Sequence, residues 1–339
     1  MPNPVDGATK KGSFPLSVDR YVTVDSTLAI SVRDLKKSYP GVEAVQGVSF
    51  EVARGQVFGL IGPNGAGKTT TLECLVGLRK PTAGVLRILG RDPSTRASRL
   101  RHVVAVQPQE GALFAHLKVR ETVQLWSTFY QDPLPIEPVL TEVGLTDQAN
   151  QRVKALSGGQ RRRLLLAVCL VGNPEVLVLD EPASGLDPSA RELLWDVIRS
   201  RRSAGSSVLL TTHDMNEATQ LCDQIGVLVG GRIVASGSPA QLARDLGGFS
   251  TVSFTTQSPH TIAAVRRLPA VASVRTEAAG GRTQVYVKTK DGDDVVRHIA
   301  STADIEASDL TITHGGLDDV FKTLVASADG RTEQTHDHP

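Results

Sequence analysis

The sequence feature that most restricts the fold of this chain is a glycine-rich segment that fits the pattern G-x-x-x-x-G-K-[ST] at every required position. The segment is Gly62-Pro63-Asn64-Gly65-Ala66-Gly67-Lys68-Thr69, followed by Thr70. Glycines let the backbone turn its N–H groups toward phosphate oxygens, and a helix that begins near Gly67 points its positive end at the same anion. Because an apolar strand pattern, Gln56–Ile61, comes directly before the loop, the segment predicts a phosphate site at a strand-to-helix turn.

Two side chains of this segment are expected to act on the bound nucleotide. Lys68 would supply a positive charge to the β- and γ-phosphates, and the Thr69 hydroxyl is placed to bind Mg²⁺. The alternative is a glycine-rich turn with an exposed lysine. The strand before the loop and the helix after it favour the nucleotide site.

A second buried strand pattern, Val176–Leu179, ends in the two carboxylates Asp180 and Glu181. The carboxyl ends of strands in open α/β sheets face the ligand crevice, so Asp180 is expected to hold Mg²⁺ directly or through water. Adjacent strand residues point to opposite sides, which would leave Glu181 free to orient or deprotonate a water near the last phosphate. Taken alone, the pair could also be an ordinary charged strand end.

A second helix start suited to phosphate follows an insertion. The pentapeptide Leu156-Ser157-Gly158-Gly159-Gln160 opens the helical pattern Arg161–Val171, and Ser157 is a typical N-cap residue. One nucleotide rarely needs two such helices from one chain, so this one is expected to serve a nucleotide held by a partner. A plain helix cap is the alternative.

The chain divides into segments of different pattern. Residues 1–27 are polar and predict a flexible extension, whereas residues 28–246 alternate strand and helix patterns, which predicts a mainly parallel α/β sheet. Within that core, residues of about 113–160 carry helical periods, as in Val119–Tyr130 and Ile136–Val143, and predict a helical subdomain. A helix start is also predicted at Asp187-Pro188, and strands include Val85–Leu89.

The C-terminal part has the order β-α-β-β-α-β, which predicts a small ferredoxin-like α+β domain over residues 249–326. Its strand patterns are Ser250–Thr255, Ala272–Thr276, Gln284–Lys288 and Leu310–Thr313, and its last helix is Leu317–Val325. Residues 327–339 predict a disordered tail.

Composition excludes several other classes of protein. The chain has 339 residues, 37 Lys and Arg against 36 Asp and Glu, a net charge of +1 and 4% aromatic residues, so a nucleic-acid partner is not expected. The longest apolar run, Leu164–Gly172, is far shorter than the roughly 20 residues that cross a bilayer. The first 30 residues lack a signal-peptide pattern, which predicts a cytoplasmic protein. Cys74, Cys169 and Cys222 fit buried reduced thiols.

In this order, the motifs resemble those of the ATP-binding subunit of an ABC transporter over about residues 28–246. Gly62–Thr69 matches that family's Walker A motif, Val176–Glu181 its Walker B motif and Leu156–Gln160 its LSGGQ signature, letter for letter. The resemblance implies a P-loop ATPase fold that binds ATP and Mg²⁺ and hydrolyses ATP.

The resemblance also assigns roles to single residues. Gln109 matches the Q-loop glutamine, which in the family contacts Mg²⁺ and water and senses the membrane partner. His213 matches the switch histidine at the γ-phosphate, and Asp187 ends the D-loop match Ser184-Gly185-Leu186-Asp187. Tyr39 stands where the family places the aromatic residue that stacks on adenine. Gln107 departs from the family, which often has an aromatic residue there, with no expected effect on the chemistry.

By resemblance, two such subunits face each other head to tail, with each ATP between the Walker A loop of one and the signature of the other. A homodimer or a paired heterodimer is therefore expected, bound to a separate membrane permease at the cytoplasmic face of the membrane. The helical subdomain and Gln109 would form the docking surface for that permease.

The end of the small domain indicates a subfamily. Gly316-Leu317-Asp318-Asp319-Val320-Phe321 resembles the S-L-E-D-V-F helix of daunorubicin-resistance-type ABC-2 exporters, although Gly316 replaces the usual serine. This favours export of a drug-like, lipid or polymer substrate. The alternatives are an importer ATPase subunit, or a soluble ABC ATPase that acts on nucleic acid or ribosomes. Soluble ATPases of that kind usually carry coiled coils, zinc modules or tandem cores, which the sequence lacks.

Overall fold

The structure is a computed structural model that describes residues 26–94, 100–109, 111–246, 250–279, 281–302, 305–313, 321 and 324. The predicted tail 327–339, nearly all of the predicted extension 1–27 and most of the predicted helix Leu317–Val325 lie outside the described residues. In the described part of the chain, no helix is both long and apolar enough to span a membrane.

The strands and helices below carry the labels used from here on. The strands are β1 (Leu28–Tyr39), β2 (Val42–Ala53), β3 (Val57–Ile61), β4 (Ala83–Ile88), β5 (Val104–Gln107), β6 (Val176–Asp180), β7 (Ser207–Thr212), β8 (Gln224–Val229), β9 (Arg232–Gly237), β10 (Ser250–Thr256), β11 (Val271–Ala279), β12 (Arg282–Thr289) and β13 (Ser308–Thr313). The helices are α1 (Lys68–Leu75), α2 (Val119–Ser127), α3 (Ile136–Glu142), α4 (Gly158–Leu170), α5 (Pro188–Ser203), α6 (Met215–Leu221), α7 (Pro239–Leu246), α8 (Pro259–Arg266) and α9 (Gly292–Ser301). A 3₁₀ turn covers Val153–Ala155.

A six-stranded sheet with the order β5-β6-β7-β3-β8-β9 forms the centre of the core. All neighbouring pairs are parallel except β8 and β9, which are antiparallel. Leu177 and Leu179 of β6 pack into one apolar cluster, and Val176 and Val178 pack into another. Strands β3, β6 and β7 are buried along their whole length because both of their faces are covered, as the sequence pattern predicted, whereas the edge strand β9 alternates exposed and half-buried residues.

A separate three-stranded antiparallel sheet, β2-β1-β4, packs into the second cluster. Strands β1 and β2 were not predicted from the sequence. The predicted strand Val85–Leu89 is confirmed as β4, but it pairs antiparallel with β1 outside the parallel sheet. The long hairpin has several register shifts, including one between Val32 and Leu35, and Asp34 adopts a left-handed φ of 48°. Bulges of this kind break the period-two alternation that identifies a strand.

The insertion between β5 and β6 contains α2, α3 and the 3₁₀ turn, which agrees with the predicted helical subdomain. Helix α4 starts at this subdomain and runs into the core, where Leu164, Leu166 and Leu170 are fully buried. The signature segment therefore lies at the exposed end of a helix whose other end is anchored beside the parallel sheet.

The C-terminal α+β domain has a four-stranded antiparallel sheet with the order β11-β12-β10-β13, and α8 and α9 join its strands in the ferredoxin-like order. It has its own apolar core around Phe254, Val285 and Val287. The predicted architecture, an α/β core with a helical subdomain and a small α+β domain, is thus confirmed. Residues 247–249, where the boundary is predicted, lie outside the described part.

Candidate functional site

A cavity of about 430 Å³ opens beside the carboxyl ends of three neighbouring parallel strands, β6, β7 and β3. The residues that line it are Ala44, Asn64, Gly65, Gly67, Lys68, Thr69, Thr70, Gln109, Glu181, Ser184 and His213. Residues from five separate parts of the sequence thus meet at the edge of the sheet where open α/β proteins bind ligands. All but Ala44 and Ser184 were predicted site residues.

The glycine-rich loop joins β3 to α1 and needs glycine at its close approaches. Gly67 has a φ of 100°, and a Cβ there would lie 2.4 Å from the Ala44 carbonyl oxygen. A Cβ on Gly62 would lie 2.2 Å from the Leu228 carbonyl oxygen. The loop can therefore pass close to neighbouring backbone only because these positions carry no side chain.

Lys68 is the first residue of α1 and is only 6% exposed. Its Nζ donates hydrogen bonds to the carbonyl oxygens of Gly62 at 2.8 Å and Pro63 at 3.2 Å. A buried ammonium needs such partners, since removing it from water without them is costly. Gly62 and Pro63 thus serve the site through backbone oxygens that orient Lys68.

Glu181 leaves the strand rather than continuing it. Strand β6 ends at Asp180, and Glu181 has a left-handed φ of 46°. Its N–H lies within hydrogen-bond distance of the Thr211 side chain, with the Glu181 N to Thr211 Oγ1 distance at 3.0 Å. We predicted that the alternation of side chains along a strand would separate the two carboxylates. This reason was wrong, because a backbone turn at Glu181 separates them.

The Glu181 carboxylate, 7% exposed, lies between two basic groups. Its Oε1 is 3.3 Å from Lys68 Nζ, and its Oε2 is 3.3 Å from His213 Nδ1. His213 itself is about half exposed at the cavity. The arrangement places a proton acceptor beside a cation that can bind phosphate, which suits attack of a water on a phosphoryl group.

The three predicted Mg²⁺ ligands are all oxygen donors. Thr69 and Gln109 line the cavity, whereas Asp180 is 4% exposed and is not among the lining residues; its Oδ1 accepts a hydrogen bond from Thr211 Oγ1. A hydroxyl, an amide oxygen and one carboxylate suit Mg²⁺ bound chiefly through nucleotide phosphates. The donor set therefore fits the ion.

Tyr39 is not among the residues that line the cavity. The Lys37 Nζ lies 4.9 Å from its ring centroid, and the Arg79 guanidinium carbon lies 5.7 Å from it. These are cation–π distances, so the half-buried ring already has two cationic neighbours. The structure thus places Tyr39 on the same domain without bringing it into the cavity.

The signature residues lie at the start of α4 and are likewise not among those that line the cavity. Ser157 and Gln160 form a reciprocal capping box, with Gln160 N donating to Ser157 Oγ at 3.2 Å and Ser157 N donating to Gln160 Oε1 at 2.9 Å. Gly158 and Gly159 follow the cap, and Gly158 has open space around it. The predicted N-cap is confirmed, and its surroundings leave room for an approaching molecule.

Asp187 has a structural role in its own helix. It caps α5 by accepting a hydrogen bond from Ala190 N at 2.9 Å, with Pro188 at the first helical position, as predicted. It too is not among the lining residues of the cavity.

A smaller pocket of about 100 Å³ shares Glu181, Ser184 and His213 with the large cavity. Glu217 at its wall is 2% exposed, and burial raises the pKa of this carboxyl above its usual value. The Trp195 indole N–H donates to it at 3.4 Å. Asp214 caps α6 and pairs with Arg191 at 3.4 Å, so a network of charges supports the backbone around His213.

Sequence reasoning missed Thr211 and Arg162, which shape the site through the backbone. Thr211 is completely buried and contacts both Asp180 and Glu181. Arg162 contacts the backbone around Glu181 from α4. No local motif marks either residue. The three cysteines, by contrast, are free and buried as predicted, and burial raises the pKa of Cys169 to about 12.

The chain is similar to known ATP-binding proteins. A family model described as ABC transporter matches residues 45–184. A Nod factor export ATP-binding protein I of Ralstonia nicotianae is 40% identical over 309 residues, which cover 89% of this chain and 95% of that protein. A protein of the same name from Paraburkholderia xenovorans is 39% identical over 303 residues, covering 87% and 96%.

Two solved structures are similar as well. An ATP-binding subunit of an ABC transporter superposes with a TM-score of 0.60 at 29% identity, over 65% of this chain and 93% of that chain. A dimeric bacterial ABC transporter cassette superposes with a TM-score of 0.58 at 25% identity, over 62% and 98%.

Proposed function

This chain belongs to the family of ABC transporter ATP-binding proteins, and from that premise we propose that it powers export through a separate membrane permease as its ATP-binding and hydrolysing subunit. The observation that carries the proposal is the single cavity where Lys68, Thr69, Gln109, Glu181 and His213 meet. Similarity to export ATP-binding proteins over most of both chains supports the direction of transport.

In this proposal the glycine-rich loop binds the phosphates of ATP. The backbone N–H groups of the loop and the N-terminus of α1 face the anion, and Lys68 exchanges its loop carbonyl partners for phosphate oxygens. Thr69, Gln109 and Asp180 would hold Mg²⁺, which supplies charge neutralisation at the phosphates when bound.

Glu181 is the residue proposed to accept the proton of the attacking water. Its carboxylate is buried beside Lys68 and His213, which places it next to the groups that would contact the γ-phosphate. His213 and Lys68 would stabilise the negative charge that develops on the transferring group. Adenine stacking on Tyr39 would require its ring to exchange one of its two cationic neighbours for the base.

A second ATP-binding subunit completes the proposed site. Ser157–Gln160 lie at an exposed helix start, where they would contact ATP bound to the Walker A loop of the other copy, with Asp187 at the same interface. The dimeric cassette that superposes on this chain supports this arrangement. The γ-phosphate would hold the two subunits together until hydrolysis.

The permease is proposed to dock at the helical subdomain. Phe114 and Phe129 are 58% and 63% exposed, and both rings lie near Trp126, at centroid distances of 6.1 and 6.3 Å. Exposed aromatic groups of this kind mark protein contacts, and Phe114 is five residues from Gln109 in sequence. A short permease helix beside this group would hold the chain at the cytoplasmic face of the membrane.

The substrate class proposed is a drug-like, lipid or polymer molecule, as in daunorubicin-resistance-type ABC-2 exporters. The hexapeptide Gly316–Phe321 supports that subfamily. Its last residue, Phe321, packs with Leu324 against the apolar cluster of the ATPase core.

The test is a pull-down of tagged protein from detergent-solubilised membranes of native cells with ATP and Mg²⁺, using Glu181→Gln to retain ATP. A polytopic membrane protein in near-equal amount is expected, and Phe129→Ser should reduce its recovery. Leu78→Ser is the matched control, since Leu78 is 70% exposed outside the helical subdomain. Recovery of only nucleic acid or ribosomal proteins would favour a soluble ATPase instead.

A further inference from the structure

One guanidinium joins the signature helix to the backbone around Glu181. Arg162, five residues after the N-cap of α4, donates from Nε to the Pro182 carbonyl oxygen at 3.0 Å and from Nη2 to the Asp180 carbonyl oxygen at 3.1 Å. It also donates to the carbonyl oxygens of Glu181 and Gln109. Its three nitrogens therefore contact both the segment after β6 and the segment after β5.

These contacts hold the backbone of Glu181, which has the least favourable conformation of the site. A non-glycine residue in the left-handed region costs roughly 1–3 kcal/mol and persists only where its surroundings hold it. At Glu181 the preceding peptide N–H faces Thr211, and the following carbonyl oxygen accepts from Arg162. Arg162 also donates to the Asp180 carbonyl oxygen, so it contacts both peptide groups that flank the Glu181 Cα, and Thr211 contacts the preceding one.

Nearby carboxylates offset part of the cost of burying the Arg162 cation. Arg162 is partly withdrawn from water, and burial lowers the pKa of its guanidinium, while the carboxylates of Asp180, Glu181 and Glu217 act in the opposite direction. Four carbonyl oxygens and three acidic groups surround one planar cation. Only arginine presents donors in a fixed fork that can reach several acceptors at once.

The two neighbouring arginines differ from Arg162. Arg161 is exposed, and Arg163 donates to the carbonyl oxygens of Val143 at 2.9 Å and Gly144 at 2.7 Å in the helical subdomain. The run of three arginines therefore divides into one exposed residue, one that contacts the catalytic segments and one that holds the subdomain.

We propose that Arg162 is a positioning residue that holds Glu181 and the backbone of Gln109 in place from the signature helix. A shift of α4 would then move the proton acceptor and the Q-loop together. The proposal rests on the proposed function, since it assigns Arg162 an effect only through the catalytic role of Glu181.

The test compares Arg162→Lys with Arg161→Lys in the full-length chain, by kcat and KM for ATP hydrolysis, Kd for a fluorescent ATP analogue and melting temperature. Lysine keeps the charge but donates from one atom, so it cannot replace the fork. We expect Arg162→Lys to lower kcat at least tenfold with Kd changed less than threefold and melting nearly unchanged. Arg161→Lys should stay within twofold of the unsubstituted chain in every quantity.

A second measurement separates positioning from independent catalysis. In single-turnover assays, Arg162→Lys should lower the rate of the Glu181→Gln variant by less than twofold, because the residue it positions is already disabled. A full tenfold loss in that background would overturn the proposal. An Arg162→Lys protein with unchanged kcat would overturn it too, as would one in which Kd, melting and kcat are impaired in parallel.

If the lysine variant does not fold, Arg162→Gln is judged by the same criteria. Failure of the proposed function would give a different result. The unsubstituted chain would then hydrolyse ATP no faster than the Glu181→Gln variant.

Discussion

The ATPase core and the C-terminal α+β domain bury different kinds of polar group. The core buries ionic and amide side chains, namely Lys68, Gln107, Asp180, Glu181 and Glu217. Among its described residues, the C-terminal domain buries only the threonine side chains of Thr256, Thr261 and Thr289. Buried charges are costly unless paired, whereas a buried hydroxyl needs only one or two hydrogen bonds.

The threonines of the small domain have local structural partners. Thr289 Oγ1 donates to the Ala270 carbonyl oxygen at 2.7 Å, and Thr261 Oγ1 accepts from Glu306 N at 3.1 Å. In the core, by contrast, the buried Lys68 and Glu181 line the large cavity, and Glu217 lines the smaller pocket. The difference indicates that the core holds reactive groups at a cost in folding stability. The polar groups buried in the described part of the small domain serve its folding.

The largest effect that tests this comparison is expected from Phe254→Ala. Phe254 is fully buried in the core of the small domain, and Phe-to-Ala changes in cores cost about 3–5 kcal/mol. Calorimetry should show a low-temperature transition for the small domain, while the Kd for ATP stays within twofold. Loss of ATP binding in proportion to stability would show that the two cores are one energetic unit.

A smaller effect of opposite sign is expected from Gln107→Met. The Gln107 side chain is completely buried, and among the described residues neither its Oε1 nor its Nε2 has a hydrogen-bond partner. Removing such unpaired groups should stabilise the chain by about 1–2 kcal/mol, measured as a higher urea midpoint. Gln131→Met, at an exposed position, is the control and should change the midpoint little. A destabilised Gln107→Met protein would contradict this interpretation.

The smallest effect is expected from Glu217→Gln and depends on pH. Burial raises the folded pKa of Glu217, so the native state holds this proton where the unfolded chain has lost it. That contribution to stability is present below the unfolded pKa and is lost as pH rises through the folded value. The Gln variant should therefore gain stability relative to the unsubstituted chain as the pH rises from about 4 to 7, by on the order of 1 kcal/mol. Parallel stability curves for the two proteins would contradict the assignment.

The parts of this molecule that short motifs encode could be predicted from the sequence. The glycine-rich loop, the strand ending at Asp180 and the capped helix at Ser157 each specify their own local backbone. The positions of the first two at the carboxyl ends of strands follow from fold rules. Buried parallel strands were equally clear, because both faces of their sheet are apolar.

What the sequence did not predict depends on contacts between distant residues. Strands β1 and β2 are interrupted by bulges, and the left-handed turn at Glu181 is stabilised by Thr211 and Arg162 from other elements. Tyr39 has cationic neighbours that come from the end of β1 and the segment after α1. No periodicity within a segment carries information about such partners.

The catalytic role of Glu181 is best tested by ATP turnover and assembly of Glu181→Gln beside the unsubstituted chain. Loss of a catalytic proton acceptor should lower kcat at least about 100-fold while Kd for ATP changes little. Size-exclusion chromatography with ATP and Mg²⁺ should then show a stable dimer of the variant. Unchanged turnover in a folded Glu181→Gln protein would remove Glu181 from the reaction and contradict the site described above.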